Sequence, residues 1–62
     1  MSEKFRVSLW EDGVENDVFF EDCWEEVEAV LDGADDYLVE EFDMMSGCFE
    51  PVELGGRVEE WF

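Results

Sequence analysis

Histidine does not occur in this 62-residue chain, and Lys4, Arg6 and Arg57 are its only basic side chains. The first absence removes the commonest general base and the commonest metal-binding side chain. The second argues against direct contact with nucleic acid, because three cations cannot offset twenty Asp and Glu beside a phosphate backbone. It argues equally against adhesion to an anionic membrane. Two cysteines, Cys23 and Cys48, are too few for a disulfide framework and lack zinc spacing. They read as free buried thiols or as one helix-to-sheet bridge, and the first reading suits a reducing compartment. No apolar run is long enough for a transmembrane helix, and "MSEKFRVSLW" lacks the apolar stretch of a secretory leader. A cytoplasmic protein is therefore expected.

What the chain does contain argues against disorder. High net charge, −17 here, is half of the disordered signature, but apolar residues make up 47% and aromatics 16%. Six Phe and three Trp imply a packed core rather than a solvated coil. At this length the chain is one domain, residues 1–62, near the lower limit for folding without metals or crosslinks. Such a globule has a diameter of roughly 27 Å. Duplex DNA of that length carries about 16 charges, close to the excess found here.

"KFRVSLW" alternates Phe5, Val7 and Leu9 against Lys4, Arg6 and Ser8, which predicts a strand over Lys4–Trp10, followed by a turn at "EDG". Asp17 then reads as the N-cap of a helix reaching Leu31 or Asp32, with Gly33 at the C′ position. Phe20, Cys23, Trp24, Val27, Val30 and Leu31 share an arc of about 120° on that helix. Glu21, Asp22, Glu25, Glu26, Glu28 and Asp32 share the opposite arc, interrupted only by Ala29. Four like-charge pairs there (Glu21/Glu25, Asp22/Glu26, Glu28/Asp32 and Glu25/Glu28) cost roughly 1–2 kcal/mol together. A domain of this size has only ~3–9 kcal/mol in all. Strands are expected at Tyr37–Asp43 and Cys48–Leu54, the second demoted to an edge by Pro51. "GG" at 55–56 reads as a hairpin turn and "RVEEWF" as a closing strand, with Trp61 and Phe62 either core or exposed anchor. The expected fold is α+β: one amphipathic helix on a small, mostly antiparallel sheet, in βαβββ order.

Catalysis finds little support. Cys23 and Cys48 have no nearby His or Lys to activate them, and a chain this short can hardly build the cleft that paired carboxylates need. Calcium loops fail in register, since the glycine of position six is Asp17 counted from Asp12 and Tyr37 counted from Asp32. No enzyme activity, metal or cofactor is expected. Carboxylates spaced one helical turn or two strand residues apart lie about 6–7 Å from one another, of the order of successive phosphates on a DNA strand. Glu21, Asp22, Glu25, Glu26, Glu28, Asp32, Asp35 and Asp36 would form such a surface, extended by Glu40, Glu41 and Asp43, and further by Glu50 and Glu53.

In length, lysine scarcity and the acidic stretch Glu21–Asp36, the chain resembles the small acidic DNA-mimic proteins of phages and mobile elements. Those proteins block host restriction, repair or CRISPR machinery. The resemblance implies an inhibitor of anti-CRISPR or anti-restriction type, acting as a monomer or weak dimer in the host cytoplasm. Its partner would be a basic DNA-binding protein such as a Cas effector subunit, with the inhibitor occupying the groove or recognition-motif pocket meant for DNA. The alternatives are a halophile-type acidic housekeeping domain, adapted to molar salt, and an adaptor that docks on some other basic protein.

Overall fold

The computed structural model, which describes residues 4–61, opens with a hairpin where a helix start was expected. Strand β1 (Phe5–Glu11) turns at Asp12-Gly13 into β2 (Val14–Glu21). The two turn residues have φ of 52° and 80°, so this is the two-residue loop with both centres left-handed, whose twist matches that of the paired strands. Asp and Gly are the residues that tolerate it. The ladder pairs Glu11 with Val14 and Phe5 with Glu21, with Asn16 bulged out where the register shifts. Asp17 is therefore a strand residue, not a helix cap. The expected βαβββ order is corrected to β1-β2-α1-β3-β4-α2.

Helix α1 spans only Trp24–Leu31. Its N-cap is Cys23, whose side chain makes no capping bond, and Glu25 and Glu26 occupy the first turn, where the helix dipole favours carboxylates. Asp32 closes the helix and Gly33 follows it, as expected. Strands β3 (Tyr37–Asp43) and β4 (Cys48–Gly55) lie as expected, and Pro51 does stand on an edge strand, beside a bulge at Val52. The sheet order is β2-β1-β3-β4, antiparallel throughout. The β2-α1-β3 connection consequently passes over β1.

The expected strand "RVEEWF" is instead a short helix, α2 (Val58–Trp61), and Gly55-Gly56 is no hairpin turn. A Cβ at Gly55 would overlap the Tyr37 ring, and one at Gly56, where φ is 65°, would strike Asp35 and Asp36. The glycine pair exists to let the chain pass close against β3. Phe62 lies outside the described residues.

Each face of the sheet holds a small core. On one, Val27 of α1 meets Val7 and Val39, ringed by Phe5, Leu9, Val30, Leu31 and Tyr37, and Trp24 sets its edge on Phe5 at 5.6 Å. On the reverse, Ser8 and Leu38 are buried beside one another in register, Val58 of α2 is fully buried, and Trp61 stacks on Trp10 at 6.4 Å. The indole N–H of Trp10 is buried with no partner among the described residues. Of the apolar arc expected on the helix, Val27 is buried and Leu31 packs against its cluster. Phe20 and Trp24 remain 50% and 38% exposed, because Phe20 sits on the edge strand and Trp24 at the helix start. Both cysteines are free and exposed, which overturns buried thiols and the bridge alike.

Candidate partner-binding surface

Strand alternation sorts the charges onto two sides. Phe5, Val7 and Leu9 of β1 face α1, and the register carries that side across the sheet. Glu11, Asp17, Glu21, Glu41, Asp43, Glu50 and Glu53 fall on it, with no basic strand residue among them. The exposed acids of α1 and its flanks, Asp22, Glu25, Glu26, Glu28 and Asp32, join them from above. The reverse strand positions hold Arg6 against Glu15 and Glu40. Arg57 also belongs to the reverse side, its guanidinium 5.6 Å from the Trp61 ring.

The arginines are engaged locally. Arg6 donates to Glu40 at 2.8 Å, to Ser8 at 3.0 Å and to both oxygens of Glu15 at 3.1 and 3.2 Å. Burial pulls the Arg6 pKa down, but the hydrogen bonds and charges of Glu40 and Glu15 outweigh it, so the guanidinium is held above its ordinary value. Arg57 pairs with Glu60 at 3.3 Å, an exposed contact worth little.

The sequence-read acids thus divide. Glu21, at the end of β2, and Asp22, in the bend after it, are not helical, so Glu21/Glu25 and Asp22/Glu26 are not helix neighbours. They still stand at the α1 N-terminus with Glu25 and Glu26. Glu41 lies directly opposite Glu50, and Glu21 is on the same cross-strand row beyond Phe5. Asp43 contributes one oxygen to the Met45 N–H at 2.9 Å. Asp35 is exposed in the α1–β3 loop. Two residues separate from the group: Glu40 points to the reverse side and is bound by Arg6, and Asp36 accepts the Arg57 N–H at 2.9 Å. Glu11 and Asp17 join the surface unannounced by the sequence reading. The "DG" turn was the signal that could have found them, because it fixes the hairpin and hence the alternation.

The acid side is not flat. Between α1 and β4 runs a groove of about 420 Å³, with Trp24, Leu31 and Tyr37 as apolar lining and Glu28, Asp32 and Glu53 as carboxylates. Tyr37 donates its hydroxyl to Glu53 at 3.1 Å, and burial, then that hydrogen bond and the charge of Glu53, raise the phenol pKa above 10.0. Such a groove fits a lysine or arginine side chain, its stem on the rings and its head between carboxylates. Among the described residues, no three His, Cys, Asp or Glu side chains converge to hold a metal ion. No helix among those residues is long and apolar enough to cross a membrane. Comparison with family models, with curated proteins and with solved structures finds no match.

Proposed function

We propose that this chain is a DNA mimic that docks its α1 side on the basic groove of a DNA-binding protein and keeps DNA out. The observation that carries the reading is the sorting itself: Asp17, Glu41, Glu50 and Glu53 share the α1 side with the acids of the helix and with no basic strand residue, while Arg6 and Arg57 belong to the other side. A chain acidic only for solubility gains nothing from sorting its charges. The molecule is 32 Å along its longest axis, a length over which duplex DNA carries about 19 charges, against a net −17 here. Glu25 and Glu28 stand about 5–6 Å apart along the helix, and Glu41 faces Glu50 across adjacent strands at about 5 Å, so the charges form a grid at phosphate-like spacing. A basic partner gains complementary potential and fast association, and relieves the repulsion of the free protein.

The partner class follows from the same chemistry. It is a protein with a concave, arginine- and lysine-lined channel, and the inhibitors this chain resembles point to a host defence nuclease or a Cas effector subunit. One of its basic side chains enters the Trp24–Tyr37 groove. The role is steric and electrostatic, with no catalytic step, and its setting is the cytoplasm of the host cell.

The immobilised protein, exposed to host lysate, should retain DNA-binding proteins that short duplex DNA releases and whose DNA affinity falls when the chain is added. Retained proteins indifferent to DNA would refute mimicry. A halophile-type domain would instead unfold at low salt, which circular dichroism across a salt titration detects.

A further inference from the structure

We infer that the reverse sheet face is a self-association surface, on which a second copy of this chain packs two-fold. Phe20, Phe42 and Phe49 cluster there, with ring centroids 6.1 Å apart for Phe20–Phe49 and 5.4 Å for Phe42–Phe49. They come from β2, β3 and β4, so the sheet curls to gather them. Phe20 is 50% exposed, and Val18 and Leu54 nearly 40%. Helix α2 covers only the Trp10 end of this face. The aromatic end has no cover among the described residues.

Charge decides which occupant fits. A basic partner is drawn to the α1 side. A second copy carries −17 itself and is repelled from every acidic surface. The reverse strand positions, however, hold Arg6 against Glu15 and Glu40 and so carry far less charge than the α1 side. That face combines exposed aromatic area with the lower density of charge. Two copies stacked through it form a sandwich with the sheets about 10 Å apart and both acid sides outward. The contact is isologous, each aromatic trio meeting its symmetry mate. The inference stands apart from DNA mimicry, because dimerisation leaves the α1 side free whatever that side binds.

Sedimentation velocity of the full chain, from micromolar to millimolar and at physiological and molar salt, tests it. The expected result is a concentration-dependent species of two-chain mass, tighter in molar salt where the residual repulsion is screened. Phe20→Glu, on an exposed edge-strand position, should weaken it at least about 30-fold, as loss of an interface anchor does. Val18→Asp is the second variant on the same face, and Glu25→Lys on the α1 side should not weaken the dimer. A monomer at millimolar concentration in both salts overturns the inference. So does a dimer that survives both reverse-face substitutions with the fold intact by circular dichroism.

Discussion

Glu28 is the place where folding and binding should pull hardest against one another. It stands three residues after Glu25 and four before Asp32, all exposed, with Glu53 across the groove. Each like-charge helix pair costs about 0.2–0.5 kcal/mol and each opposite pair returns as much. Glu28→Lys reverses two pairs at once, so it should stabilise the fold by about 1–2 kcal/mol at low salt. That is a large fraction of the ~3–9 kcal/mol available to a domain of this length. The assay is urea unfolding followed by tryptophan fluorescence, at two ionic strengths. At 0.01 M the screening length is about 30 Å, comparable to the 32 Å molecule, whereas at 1 M it is about 3 Å and most of the gain should vanish. The same substitution should weaken capture of DNA-binding proteins, because it places a cation in the middle of the acid side. A variant no more stable at low salt, or equally stabilised at both salts, would refute the idea that like charges are crowded there. One more stable and equally good at capture would refute their use in binding.

The rest of the fold makes sharper, simpler demands. Val27 is the one fully buried residue of α1, and Val27→Ala should destabilise by about 2–3 kcal/mol in the same urea assay, from lost transfer energy plus a cavity against Val7 and Val39. Tyr37 is the only tyrosine, so its phenol can be titrated cleanly by ultraviolet absorbance. Its folded pKa lies above 10.0, so the folded state keeps its proton longer than the unfolded state. That contribution to stability is whole below the unfolded value and is lost as pH rises through the folded one, and Glu53→Gln should shrink the window.

Legibility in the sequence followed locality. Tyr37–Asp43 and Cys48–Leu54 declared themselves by composition and by their bounding turns, and Pro51 marked its own strand as an edge. The acid face of α1 was legible from its period at Glu25, Glu26 and Glu28, whereas Glu21 and Asp22 lie before the helix. Residues 14–23 misled because Phe20, Trp24, Val27 and Leu31 repeat at helical spacing, so the helix seemed to begin at Asp17. Phe20 is in fact a strand residue whose ring turns to the reverse side, toward Phe49. The helical spacing there was coincidence, and pairing with β1 satisfied the backbone of 14–21 better than an uncapped helical extension. The closing "RVEEWF" misled likewise. Four residues cannot reveal their period, and the stacking of Trp61 on Trp10 belongs to a partner fifty-one residues distant.

By itself the sequence determined a folded α+β domain with a great excess of negative charge, because composition and short-range period need no partner to be read. Which side that charge occupies was decided only in three dimensions. The sides of a sheet are set by register, and register depends on which strands pair: the Asp12-Gly13 hairpin and the β1–β3 ladder together sent Asp17, Glu21 and Glu41 to one side and Arg6, with Glu15 and Glu40, to the other. A slip of one residue in either ladder would have mixed them.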